Sequence, residues 1–193
     1  MNLWLRMIWL LAATPFRPRL RPPLGVSRLT FRVLPNDLDV NLHMNNGRYL
    51  TIFDLGRFDL ILRMGLAGPA RRQGWIPVLS AASVLFRREL RLLQKFVVET
   101  RIVWWSGTQL VMEHRALTRE ADGREGVAAR AMMGGGIYQR KGRRFVPVVE
   151  LFEAIGLPYQ DPPPKTPEIE TALAAIDFLR QSARETVQAD ADL

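Results

Sequence analysis

The chain has no cysteine among its 193 residues, which removes disulfides, thiolate nucleophiles and Cys-based zinc sites together. Histidine occurs only at 43 and 114, so a metal site built on Asp37, Asp39 and His43 has a single further imidazole to draw on. No apolar run approaches the roughly 20 residues that a spanning helix needs. Ser27, Ser80, Ser83, Ser106 and Ser182 all lie outside any G-x-S-x-G elbow, which argues against serine chemistry. The Gly-rich "MMGGGIY" lacks the Lys-Ser/Thr of a phosphate loop and reads instead as a strand with a bulge or close backbone approach. There is no internal repeat. Lysine is confined to 95, 141 and 165, although Lys and Arg together number 27.

What is present suits one well-cored globular domain: 48% hydrophobic and 24% charged residues in a chain too short for two ordinary domains. The net charge of +8 implies an anionic partner, unless the Arg-rich usage is compositional. Residues 3–13 are apolar apart from Arg6, and Arg17, Arg19 and Arg21 follow. A secretory signal carries its basic residues before the apolar run, so this order fits one poorly. Two readings remain for residues 1–22: a helix packed on the body, burying Leu3, Trp4, Ile8 and Leu11, or an interfacial anchor. Packing is the expected one. The location expected is cytoplasmic, with peripheral membrane contact as its variant.

Along the chain, residues 28–35 alternate as a strand, and the apolar positions from Arg48 to Gly65 recur at helical spacing around most of the circumference. "GLAGPARRQGW" breaks that helix. Four strand-like runs follow, with turns expected at Ser106-Gly107, Asp122-Gly123 and Lys141-Gly142. Residues 148–156 read as a short helix, "LPYQDPPPKTP" as a linker, and 168–188 as a polar, loosely attached helix. The predicted architecture is α+β, an antiparallel meander wrapped around one long helix, with open sheet edges that dimerisation would cover. The expected divisions are a leader at 1–26, the main domain at 27–157, and a Pro-rich linker and helical tail at 158–193.

The most informative stretch is "NDLDVNLHMNNGRYL", residues 36–50. Asn46-Gly47 is a hairpin signal, but the pattern after it is helical, so Asn45 or Asn46 is expected to cap a helix. Unpaired N–H groups at such a start favour a carbonyl oxygen that becomes negative, and an acid just upstream activates water beside it. The plain alternative is that Asp37 and Asp39 only brace a turn.

The spaced set Asp37, Asp39, His43, Met44, Asn45, Asn46 and Tyr49 resembles the signature of hot-dog-fold acyl-CoA thioesterases of the 4-hydroxybenzoyl-CoA thioesterase type. The similarity extends to the Arg57 region and to "VLFRREL", over roughly residues 28–156. The apolar preface resembles a branch of that superfamily with an N-terminal leader. The resemblance implies a hot-dog fold, dimers as the minimal unit, an active site at the subunit interface, and Asp39 as the catalytic carboxylate. Leu42 departs from it, since Gly usually precedes the His position.

The reading is an acyl-CoA thioesterase without a cofactor, acting as a homodimer or homotetramer. Asp39 serves as general base or as nucleophile, and the N–H groups around Asn46 and Gly47 polarise the thioester. His43, counted with Asp39, Asn46 and Gly47 as catalytic, and Asn45 shape the loop or touch the substrate, and Tyr49 lines it. Arg87, Arg88, Lys95, Arg140, Lys141, Arg143 and Arg144 are candidates for the phosphates of coenzyme A. A non-catalytic acyl-binding hot-dog protein at a membrane is the alternative. Nucleic acid is not expected as a partner, because Trp104 and Trp105 face opposite ways on a strand and make no common stacking platform.

Overall fold

The computed structural model describes residues 2–119 and 123–191; Asp122 of the expected Asp122-Gly123 turn lies outside them. Six strands form one antiparallel sheet: β1 (Ser27–Arg32), β2 (Trp75–Phe86), β3 (Lys95–Ser106), β4 (Gln109–Arg119), β5 (Glu125–Gln139) and β6 (Arg144–Phe145). The order is β1-β3-β4-β5-β2, and β6 pairs with the end of β5. The pairing of β2 with β5 shifts register between Leu79 and Ala81. There a Cβ at Gly135 would overlap the Val78 carbonyl, so the glycine run permits both the bulge and the close approach.

The sheet curls around α2 (Asn46–Arg63), which at 1.5 Å per residue is about 27 Å long. Tyr49, Ile52, Phe53 and Leu55 face Leu29, Phe31, Phe96, Val98 and Met133 across the main core. Gly56 lets the helix close on β3, since a Cβ there would meet the Thr100 hydroxyl. One turn further, the fully buried Asp59 accepts from Arg17 (2.6 Å), Arg63 (3.0 Å) and the Ser27 hydroxyl (2.6 Å). Three donors compensate for the charge taken from water.

The expected break after α2 instead holds a short helix, α3 (Ala67–Gln73), which closes on Gly74 in the left-handed conformation. Its Gly68-Pro69 lies within the first turn, where proline's missing N–H costs little. A further helix, α4 (Val148–Ala154), buries Val148, Leu151 and Phe152.

The ends of the chain depart further from expectation. The Pro-rich linker is tied down: Trp105 Nε1 donates to the Gln160 carbonyl at 3.0 Å, Tyr159 packs edge-on to Phe152, and the Lys165 ammonium lies over the Trp104 ring. The last helix, α5 (Pro167–Ala191), is docked rather than loose, burying Ile169, Leu173 and Ile176. Ile169 and Leu173 join Trp104 and Val111 in a small cluster of their own on the sheet.

The first helix, α1 (Asn2–Ala13), packs on the body as expected but through a different face. Leu10 and Arg6 are buried, whereas Trp4, Ile8 and Leu11 are half or more exposed. The reason is a buried acid: Arg6 reaches Asp37 at 2.6 Å, and that pairing sets the rotation of the helix.

Candidate active site

The conspicuous polar stretch folds as a short 3-10 turn (Pro35–Asp37), a tight loop and the start of α2. Asp37 organises it. Its carboxylate is fully buried and accepts from the Leu34 N–H (2.9 Å), from Arg6 (2.6 Å) and from Arg48 (3.0 Å). Its own carbonyl takes the Asn45 N–H at 2.9 Å. Neither arginine was singled out in the sequence. Arg6 nevertheless left a trace as the lone charge in an apolar run, whereas Arg48 gave none.

Asp39 sits differently. Its side chain is 21% exposed, one oxygen accepts the Asn41 N–H at 2.9 Å, and the other lies 3.3 Å from His43 Nδ1. Backbone bonds from Asp39 N–H to the His43 carbonyl (2.9 Å) and from Leu42 N–H to the Asp39 carbonyl (3.1 Å) close the loop. An ionisable carboxylate is thus held in place while remaining open to solvent.

Leu42 occupies the left-handed region at φ 60°, and its side chain is 73% exposed. The backbone therefore takes the conformation that glycine would favour, and the extra side chain turns outward instead of narrowing the loop. Holding a non-glycine residue there costs roughly 1–2 kcal/mol. Leu42→Gly is accordingly expected to raise stability by about 1 kcal/mol or slightly less, the looser unfolded chain offsetting part of the relief. Urea unfolding of the two proteins checks this, with the midpoint moving up and the slope unchanged.

Asn45 caps α2 as predicted, its Oδ1 accepting the Gly47 N–H at 2.8 Å while its carbonyl takes the Arg48 N–H at 2.9 Å. This corrects the role expected of Gly47, whose N–H is already committed to the cap. The Asn46 N–H lies outside the cap at the exposed helix start. Tyr49 is also corrected. It is buried in the core edge-on to Phe86, and burial pushes its hydroxyl up to about 12.

The basic candidates divide into two groups. The Met44 N–H bonds the Leu90 carbonyl, His43 bridges Arg91, and the N–H groups of Arg87 and Arg88 bond the Ala128 carbonyl. The exposed Arg87 and Arg88 therefore flank the Asp39 loop, with Lys95 just beyond at the start of β3. Arg140, Lys141, Arg143 and Arg144 do not join them. They lie past the far end of β5, about 40 Å along the strand from Ala128, and Arg144 is already paired with Glu150 at 2.8 Å.

Behind the second half of α2 lies a cavity of about 220 Å³. Phe58, Ile61, Met64, Ile102, Leu110 and Phe152 line it, with Arg57 and Asp54, themselves an ion pair, at its wall. Asp54 is eight residues from Asn46, about 12 Å along the helix axis.

A long helix enclosed by a curled antiparallel sheet of order β1-β3-β4-β5-β2, with a polar loop feeding the helix start, defines the hot-dog class of α+β proteins. The chain belongs to the thioesterase-like superfamily, whose family model matches residues 33–180. It is similar to Protein THEM6 of Danio rerio, with 35% identity over 116 residues (60% of this chain, 57% of that one). The Xenopus laevis protein of the same name shows 37% identity over 90 residues (47% and 44%). The chain thus spans about half the length of these curated relatives. Among solved structures, 4-hydroxybenzoyl-CoA thioesterase from Pseudomonas sp. strain CBS-3 superposes with a TM-score of 0.60 at 17% identity, covering 67% of this chain and 98% of the other.

Proposed function

We propose that the protein is an acyl-CoA thioester hydrolase in which Asp39 is the catalytic carboxylate. One observation carries this reading: a positioned, solvent-open carboxylate stands directly upstream of an N-capped helix start. Acting as general base, Asp39 removes a proton from water as the water oxygen attacks the thioester carbon. The carbonyl oxygen becomes an oxyanion facing the Asn46 N–H and the positive end of α2. Collapse breaks the C–S bond, releasing the acid and the coenzyme A thiol, which takes the proton. Attack by Asp39 itself, expelling the thiolate to form a mixed anhydride that water then cleaves at the Asp39 carboxyl carbon, uses the same carboxylate. Isotope-labelled water in a single turnover separates the routes, since only the anhydride route transfers a protein oxygen to the acid.

His43 orients the Asp39 carboxylate, and Asn45 holds the helix start. Arg87, Arg88 and Lys95 surround the entrance with positive charge suited to the phosphates of coenzyme A. The apolar cavity along α2 supports an acyl group as the other end of the substrate. Among solved structures of this fold, 4-hydroxybenzoyl-CoA thioesterase acts on a coenzyme A thioester, which supports the substrate class.

The site lies at a dimer interface in this reading. The outer edge of β2 is open, and Leu79, Leu85 and Phe86 on it and Leu50 and Phe58 on α2 are exposed. Light scattering is expected to show a dimer, or a dimer of dimers, at micromolar concentration; a stable, active monomer contradicts the arrangement. The function itself is tested with a panel of short, long and aromatic acyl-CoA esters and detection of the free thiol. No hydrolysis across the panel defeats it.

A further inference from the structure

The outward half of α1 is a continuous exposed apolar surface. With 100° between successive residues, Leu3, Arg6, Met7 and Leu10 point to the body, and Trp4, Leu5, Ile8, Trp9, Leu11 and Ala12 point away. The five large side chains of that second set are between 50% and 73% exposed, and Phe16 beyond them is 90% exposed. Between Leu3 and Ala12 no polar side chain interrupts this face. The exposed Arg19 and Arg21 follow it, with no partner among the described residues. The usual amphipathic order is thus reversed, with the helix's only charge turned inward onto Asp37.

We propose that this face is a docking surface for an anionic lipid bilayer, and that the Arg6–Asp37 pair ties docking to the order of the Asp39 loop. A protein partner would call for a polar rim around the apolar patch. Here the apolar half-cylinder is bounded instead by two tryptophans and trailing arginines, the combination that seats a helix at the headgroup boundary. Among the described residues no helix is long and apolar enough to cross a membrane, so α1 lies in the interface. The inner face carries the consequence. Arg6 grips the same carboxylate as Arg48 and the Leu34 N–H, and the Asp37 carbonyl holds Asn45, the cap of α2. Seating α1 on a bilayer removes its freedom to fray, which steadies Asp37 and with it residues 37–45.

The test uses the full chain with vesicles of phosphatidylcholine alone or mixed with phosphatidylserine. Tryptophan emission is expected to shift to the blue and the protein to sediment with the anionic vesicles. Both effects should weaken between about 0.1 M and 1 M salt, as screening shortens from roughly 10 Å to 3 Å. The Trp4→Glu/Ile8→Glu double variant, or the milder Leu5→Gln/Trp9→Gln, alters exposed positions only and is expected to keep the thermal midpoint and lose binding. Anionic vesicles are expected to slow hydrogen exchange at the amides of Asp39, Leu42, Met44 and Asn45 several-fold. That change should vanish in Arg6→Gln and persist in Arg6→Lys.

Absence of sedimentation with both vesicle types overturns the proposal. So does a drop in oligomeric state in the outer-face variants, which assigns the face to a second copy of the chain. Binding without any change in exchange overturns the coupling. These readouts need no turnover, so they stand apart from the thioesterase reading, which the ester panel tests.

Discussion

Asp39→Asn is expected to lower turnover of a good acyl-CoA ester by about a hundred-fold or more, the usual cost of losing a positioned base, while fold and ester binding persist. The amide is nearly the same shape as the carboxylate, and the loop bonds from Asp39 N–H and to its carbonyl are backbone bonds that the change leaves alone. Asparagine Oδ1 still accepts the Asn41 N–H, so the loop closes as before. What disappears is a group able to take a proton or attack carbon. Asp37→Asn is the informative contrast, because Asp37 is buried between Arg6 and Arg48 and open to no substrate. Weakening that grip should lower the thermal midpoint more than Asp39→Asn does and reduce turnover less. Wild-type turnover by the Asp39→Asn protein removes the assignment.

The contrast between these two acids marks how far the sequence was legible. Elements with strong local patterning are legible: the strand that opens 28–35, although it ends at Arg32, the helical stripe after Arg48, the meander with its Ser-Gly and Lys-Gly turns, and the Asn45 cap. The misses came from long-range pairing. Nothing near Arg6 announces an acid 31 residues away, yet that acid decides which face of α1 is buried. A periodic apolar stripe also says nothing about which members turn inward. Tyr49, expected at the substrate, is core because it packs edge-on against Phe86. Likewise, charge runs at 87–88 and 140–144 look alike in sequence, and only the strand register separates them by the length of β5. Leu42 is the converse case, since the local rule favours glycine and the loop adopts the glycine conformation regardless.

The second large effect concerns His114, the histidine outside the motif. It is fully buried, stacked on Phe53 with ring centroids 5.1 Å apart, and its Nδ1 lies 2.9 Å from the Thr100 hydroxyl. Burial, helped by the nearby Arg57 charge, pushes its pKa down to about 3. In the unfolded chain the imidazole titrates near 6.5. Below that pH the unfolded state binds a proton that the native state refuses until about pH 3. Stability is thus fully present above about pH 6.5 and falls as pH falls, by about 1.4 kcal/mol per pH unit for one proton. Between about pH 6.5 and 4.5, before carboxylates in general begin to protonate, the loss should reach about 2–3 kcal/mol. Urea midpoints across this range measure it, and His114→Leu supplies the control. The leucine variant leaves the Thr100 hydroxyl without its imidazole and is expected to be less stable at pH 8, but flatter from 6.5 to 4.5. A wild-type protein with no slope in that window, or a leucine variant that keeps it, shows that the buried imidazole is not the acid-sensitive element of the core.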